Sequence, residues 1–309
     1  MITTVTLNAS IDKAYYMEQA ICNGEVMRVS RCRNSAGGKG LNVARVIQLC
    51  EEDVLATGIV GGYNGQYLES LLVQDNIAYD FAHVAGETRS CINILDPKYG
   101  STEYLEPGCL VTSEEEQVFM DKFIEIIAKS DIITISGSVP KGLSNDVYKK
   151  MVEMVKAAGK EVILDSSGIY LQSGLQAQPT MVKPNKEEME ALFQVEINTM
   201  EEVIHYAKKI AQLGIQYVVV SLGADGAILV MKDQVIHARP PIIEPVNTVG
   251  CGDSMVGAFA VALKRKYPPK EALAYGVAVA SANALSPETG SFDPQQCIDI
   301  LRNVKIKEL

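Results

Sequence analysis

Tryptophan is absent from this 309-residue chain, histidine occurs three times, and aromatic residues make up 6% of it. His83, His205 and His237 lie far apart and outside any H-E-x-x-H spacing, which argues against a dedicated zinc site and against a Ser-His-Asp hydrolase. The cysteines, seven in number, form no C-x-x-C pair, so free thiols in a reducing compartment are expected. No apolar stretch reaches the roughly 18 residues that a membrane helix needs. Met1 leads straight into ITTVTL, with no basic segment or apolar run ahead of it, so the expected location is the cytoplasm, away from membranes. Cations are in deficit as well: 28 Lys and Arg against 38 Asp and Glu leave a net charge of −10, which opposes binding to nucleic acid. An acidic chain can still hold an anionic metabolite where its few cations gather.

What is present is a 47% hydrophobic composition, enough for one large α/β domain or two smaller units. β-Branched runs at 2–7, 54–60, 131–136, 161–165, 180–184 and 217–222 alternate with amphipathic segments at 41–50, 113–129, 145–158 and 200–213. That rhythm predicts a mostly parallel sheet sandwiched by helices. Residues 14–34 and 87–109 break it, reading as strands joined by Gly, Asn and Pro turns without helices between them. They predict a small antiparallel β lid inserted into a core of 1–13, 35–86 and 110–309, whose bare face needs a ligand or a partner to cover it.

Four stretches carry chemistry. NTVGCGDS (247–254) precedes the small-residue run MVGAFAVAL, so the N–H groups of Gly250, Cys251 and Gly252 would open a helix and favour an anion. Asp253 would then accept the proton of an attacking hydroxyl while those amides hold phosphoryl charge. A plain glycine turn with a helix cap explains the same letters. The stretch is not a dinucleotide fingerprint, because Met255 stands where the third glycine is required. In SAGGKGLNVARV (35–46) paired glycines allow close backbone approach and Lys39 adds a cation, although a loop-to-helix turn reads alike. In VKPNKEEME (182–190) Asn185 and Glu188 could face one cavity and hold hydrated Mg²⁺, against the reading of an ordinary acidic first turn. VVVSLGADGAIL (218–229) ends a strand at Ser221, Gly223 and Gly226, suited either to line a nucleotide site or to make a hairpin.

In this order the motifs resemble the ribokinase-like, PfkB-type carbohydrate kinases over essentially the whole chain. AGGKGLNVA resembles the family's N-terminal signature and NTVGCGDSMVGAF its C-terminal one; KPN (183–185) and SLG (221–223) resemble its nucleotide-side motifs, and TLNASID (6–12) its sugar-binding start. GGKGLN and the pair Thr88-Arg89 are similar to the 1-phosphofructokinase and tagatose-6-phosphate kinase branch. The resemblance implies an ATP- and Mg²⁺-dependent kinase that is a homodimer paired through its lids. It further implies that Asp12, Gly38 and Asn42 bind sugar hydroxyls, that Lys39, Arg89 and Arg28 clamp the substrate phosphate, and that Lys183 and Asn283 lie on the nucleotide side.

Fructose 1-phosphate is the first expected substrate, yielding the 1,6-bisphosphate, and tagatose 6-phosphate the second. A non-catalytic sugar-phosphate or nucleotide binder is the alternative of a different class, which an intact Asp253 disfavours. Two departures stand out. Cys251 replaces the family's usual Ala, raising the expectation of sensitivity to oxidation. Asn247, where many members carry Asp, leaves dependence on a monovalent cation such as K⁺ open.

Overall fold

The computed structural model describes residues 1–309. In chain order the first elements are β1 (Ile2–Thr6), β2 (Ser10–Tyr16), β3 (Arg31–Gly37), α1 (Lys39–Leu49), β4 (Val54–Gly61), α2 (Gly62–Gln74), β5 (Ala78–Tyr79), β6 (Ala82–Val84), β7 (Arg89–Asp96) and β8 (Gly100–Leu105). The middle of the chain forms α3 (Ser113–Lys129), β9 (Ile132–Ser136), α4 (Val147–Ala157), β10 (Glu161–Asp165), α5 (Gly168–Leu175), β11 (Met181–Val182), α6 (Lys186–Phe193) and α7 (Met200–Ala211). Then come β12 (Tyr217–Ser221), β13 (Ala227–Val230), β14 (Val235–Arg239), α8 (Cys251–Lys264), α9 (Pro269–Leu285), α10 (Pro294–Asn303) and β15 (Lys305–Glu308).

The large sheet runs β15-β14-β13-β12-β11-β10-β9-β1-β4-β5, with β6 also paired to β4. From β12 through β5 all pairings are parallel, and the three outer strands β13, β14 and β15 are antiparallel. Both faces are covered. α1, α2, α8, α9 and α10 contribute to one apolar core, and α3 to α7 to the other. Such double burial is why strands like Ile132–Ser136 read as continuous apolar runs rather than alternating ones. Local signals agree with the pattern: Thr112, Asn185 and Thr199 each close a capping box with the Glu three residues on, fixing where α3, α6 and α7 begin.

The lid is a four-stranded sheet, β3-β2-β7-β8. Its two hairpins, β2–β3 and β7–β8, are antiparallel as the turn residues imply, and they join through a parallel pairing of β2 with β7. The lid strands also start earlier than the composition break suggests, at Ser10, so Asp12 belongs to the lid.

The strand order reverses at β1, whose neighbours are β9 on one side and β4 on the other. In open α/β sheets the crevice beyond the carboxyl ends of strands at such a reversal is where ligands bind. α1 reaches this place because it lies hard against β1: a β-carbon on Gly40 would sit 2.3 Å from Thr6 Oγ1 and 2.6 Å from the Val5 carbonyl oxygen. Gly40→Ala should therefore lower stability by about 1–3 kcal/mol, as overpacking does, and a thermal melt that matches the parent would refute this close-packing account.

Candidate active site

α8 begins where the sheet order reverses. Gly250 caps it in the left-handed region (φ 80°), and a β-carbon there would lie 2.6 Å from Thr289 Cγ2, so both backbone and space require glycine. The helix start leaves the N–H groups of Gly250, Gly252 and Asp253 without backbone acceptors, whereas that of Cys251 donates to the Thr248 carbonyl at 3.3 Å. Two of the three expected amide donors are thus free for an anion, and Asp253 supplies another. This corrects the placement of Cys251: its backbone closes a turn, and burial raises its thiol pKa, so at neutral pH it is protonated rather than a reactive thiolate.

Asp253 is buried, and its Oδ2 accepts a hydrogen bond from Asn42 Nδ2 at 2.8 Å. The Asn42 amide is oriented by Arg45, whose Nη1 donates to Asn42 Oδ1 at 2.9 Å while Nε donates to Asp75 at 3.0 Å. Arg45 was invisible as a site residue in the sequence, yet it decides which end of Asn42 meets Asp253. Oδ1 of Asp253 accepts no hydrogen bond, and the residue lines the cleft. Desolvation, reinforced by the negative charge of Asp165, pushes the Asp253 carboxyl up to about 6; Lys39, Asn42 and Lys183 pull it down. Because this pKa lies above the unfolded value, the group contributes most to stability below pH 4 or so, and that contribution is lost as pH rises through about 6. Folding stability is spent here on a carboxyl that ionises just below neutrality.

Asp165 is the main residue missed by sequence reading. It ends β10 with a fully buried side chain between two ammonium groups, Lys39 Nζ at 3.5 Å and Lys183 Nζ at 3.4 Å. Lys183 is buried and also faces α8: a β-carbon on Gly252 would sit 3.1 Å from its Nζ. The lysine expected on the nucleotide side therefore stands over the helix start. Lys39, the first residue of α1, has its pKa raised by Asp165 against desolvation, with Asp253 and Glu188 adding to the rise.

The surrounding cleft measures about 1430 Å³, more than the 300–1,000 Å³ common for a single small ligand, and so has room for two. Seven of the 28 Lys and Arg residues line it, against seven of the 38 Asp and Glu, so it is close to neutral in an acidic molecule. Asp12 projects from β2, accepts the Ser10 hydroxyl at 2.7 Å, and has its pKa raised by burial. Gly38 caps α1 at φ 116°. Arg89 lines the cleft but donates Nε and Nη2 to the Asn8 carbonyl and Nη1 to that of Glu106. Arg28 is not brought in. It lies exposed on the 17–30 loop, outside the cleft lining, while Arg31 and Arg33 of β3 line the cleft instead.

On the other side, Asn185, Glu188 and Ser221 line the cleft together. Asn185 and Glu188 are first of all each other's partners: Asn185 Oδ1 accepts the Glu188 N–H at 2.8 Å and Glu188 Oε2 accepts the Asn185 N–H at 3.0 Å. The SLGADG stretch is a hairpin turn between β12 and β13, with Ser221 at the cleft and Gly223 and Gly226 in the turn outside the lining. Gly226 is needed there because a β-carbon would strike the Ala238 carbonyl oxygen at 2.1 Å.

Asn283, expected on the nucleotide side, is wholly buried and fully occupied. Its Oδ1 accepts the N–H groups of Gly290 and Ser291 at 2.9 and 3.2 Å, and its Nδ2 donates to the Val249 carbonyl at 3.1 Å and to Cys251 Sγ at 3.4 Å. It ties the loop before α8 to the loop after α9 and has no donor left for a base. Asn283→Leu should cost several kcal/mol, since it orphans buried backbone groups, and should lower turnover by misplacing Gly250; a fully active variant with an unchanged melt would remove the residue from this role.

Known proteins bear on this geometry. The model for pfkB family carbohydrate kinases matches residues 5–296. The chain is 35% identical over 309 residues to the 1-phosphofructokinase of Bacillus subtilis, covering both chains completely. It is likewise 35% identical over 312 residues to the tagatose-6-phosphate kinase of Staphylococcus epidermidis, again over all of both. Among solved structures, the phosphofructokinase-2 of Escherichia coli in complex with potassium superposes with a TM-score of 0.91 at 30% identity, over 97% of this chain and 98% of that one. The full-length matches and the shared fold establish that the chain belongs to the pfkB family of carbohydrate kinases.

Proposed function

We propose that the protein transfers the γ-phosphoryl group of ATP to the free primary hydroxyl of a ketohexose phosphate. Fructose 1-phosphate, phosphorylated at O6, is the first substrate, and tagatose 6-phosphate, phosphorylated at O1, the second; the equal identity to a relative of each kind supports carrying both. One observation carries the reading: a buried carboxylate with one unpartnered oxygen stands at the open N-terminus of α8, beside two lysines.

Asp253 takes the proton of the attacking hydroxyl through Oδ1, while Asn42 holds its other oxygen still. A pKa near 6 suits this task, leaving the base ionised at pH 7 yet still basic enough to accept a proton. Charge on the phosphoryl oxygens meets the N–H groups of Gly250 and Gly252 and the ammonium groups of Lys183 and Lys39, arranged before substrate arrives. Asp12 reads a sugar hydroxyl from the lid, and the N–H groups that Arg89 has left face the substrate phosphate.

Glu188 has one carboxylate oxygen outside its capping box, and no cluster of three ligating side chains exists to cage a metal. That donor set fits Mg²⁺ held mainly by ATP and reached by Glu188 through water. When bound, the ion neutralises charge on the β- and γ-phosphates. A K⁺ ion fits less well. Asn247 Nδ2 is 3.4 Å from the Pro287 carbonyl oxygen and 3.5 Å from Thr289 Oγ1, so a neutral amide donor already faces oxygens that a cation would use.

The lid also supports a homodimer. β8 is exposed along almost its whole length, with Tyr104 and Leu105 at 58% and 64%, a surface that a second lid would cover.

ADP release with Mg-ATP should be greatest with fructose 1-phosphate or tagatose 6-phosphate and small with fructose 6-phosphate or free sugars; no turnover of any phosphorylated ketohexose would end the proposal. Asp253→Asn should keep nucleotide binding and lose a factor of about 10² or more in turnover. The parent's kcat/KM should fall tenfold per pH unit below about 6 and level off above, as protonation removes the base. Replacing K⁺ by Na⁺ or by an organic cation should change kcat by less than about twofold, a shift well under 1 kcal/mol; a tenfold drop would show that the Asn247 amide does not stand in for the ion.

A further inference from the structure

Two carboxylates and two ammonium groups share the transfer centre, and only one of the carboxylates has a place in the chemistry described above. Asp165 has a fully buried side chain, and neither of its oxygens accepts a hydrogen bond. Its cross-strand neighbour Ser136 offers no help, because that hydroxyl is unpartnered too. A buried carboxylate without hydrogen bonds is costly unless cations compensate it. Here the compensation comes from two sides: Lys39 faces Oδ2 and Lys183 faces Oδ1, so each oxygen has one ammonium group.

We propose that Asp165 is a positioning residue that sets the transfer centre electrostatically, fixing Lys39 and Lys183 one at each of its carboxylate oxygens without itself touching the substrate.

The two lysines come from unrelated places in the chain. Lys39 opens α1 and Lys183 follows β11, and no hydrogen bond ties either ammonium group to a neighbouring backbone carbonyl. Lysine side chains are flexible point charges, and without a fixed counter-charge they would sample several positions. β10 pairs with β9 along its whole length, Asp165 included, and with β11 at Ile163 and Leu164, so the backbone that carries this carboxylate is held in the sheet. The arrangement also reaches the base. The charged groups acting on Asp253 are Asp165 from β10, Lys39 from α1 and Lys183 after β11; Cys251 on its own helix is protonated, and Arg45 acts through Asn42. Burial is the largest influence raising the Asp253 pKa; among the charged groups Asp165 alone adds to that rise, while the lysines oppose it. Two ammonium groups are thus held beside Asp253 before ATP binds.

This inference rests on Asp253 being the base, and the test separates the two. The parent, Asp165→Asn, Asp165→Glu and Asp253→Asn are compared by pH profile, by kcat against KM, and by Mg²⁺ titration. Asp165→Asn should move the acid limb of kcat/KM down by about one pH unit and lower kcat by about 10²-fold, with the KM for the sugar within about threefold. Asp165→Glu keeps the charge but displaces it, so the acid limb should stay near pH 6 while kcat falls, and this variant carries the test if the Asn variant fails to fold. An acid limb unmoved in Asp165→Asn, or losses in both variants that added Mg²⁺ restores, would overturn the proposal, the latter by making Asp165 a metal ligand. Activity in Asp253→Asn would instead remove the base, and with it the reading of function.

Discussion

Everything at the active centre depends on the compensation of buried charge. Two buried carboxylates, Asp165 at the end of β10 and Asp253 in the first turn of α8, are tolerable only because two lysines and the open end of a helix meet them there. Remove the helix amides and an incoming phosphate has no hole; remove the lysines and Asp165 loses both of its charge partners. The fold supplies the arrangement at low cost, because a reversal of strand order leaves a crevice and helices placed after strands aim their N-termini into it.

Much of the scaffold was legible in the sequence for plain physical reasons. Strands buried on both faces appear as β-branched runs, and the capped helix at Ser113–Lys129 coincides with its amphipathic period because Thr112 and Glu115 mark its start. The lid was legible from missing helices, although not its parallel seam, since pairing between β2 and β7 joins residues far apart in the chain and leaves no local signature. Asp253, Asn42 and Lys39 do converge, as glycine-rich loops leading into helices suggested.

The misreadings share a cause. Asp165 ends EVILD, where one acid after an apolar strand looks like a solvated terminus; its neighbour strand β9 and the two lysines from elsewhere in the chain are what enclose it. Asn283 lies in a helix so rich in alanine that almost every side is buried, so no periodicity reveals that its amide is used up by two loops. Arg28 follows a lid strand in sequence but sits on a loop without regular pairing, whereas Arg31 and Arg33 are held by β3. In each case the deciding partner is remote in the chain, which local letters cannot encode.

The parallel seam of the lid has a mechanical meaning. Ser10 pairs with Arg89 across it, so Asp12 and Arg89 ride on one stiff plate, while Lys39, Asn42 and Asp253 ride on the core. Arg33 reaches from that plate to an ion pair with Glu288 on the loop tied down by Asn283. On the proposed reading the lid and the core would act as the two jaws of a caliper: the opening between them would gauge the length of the sugar phosphate, and a molecule of the wrong span would bring its hydroxyl to rest short of Asp253.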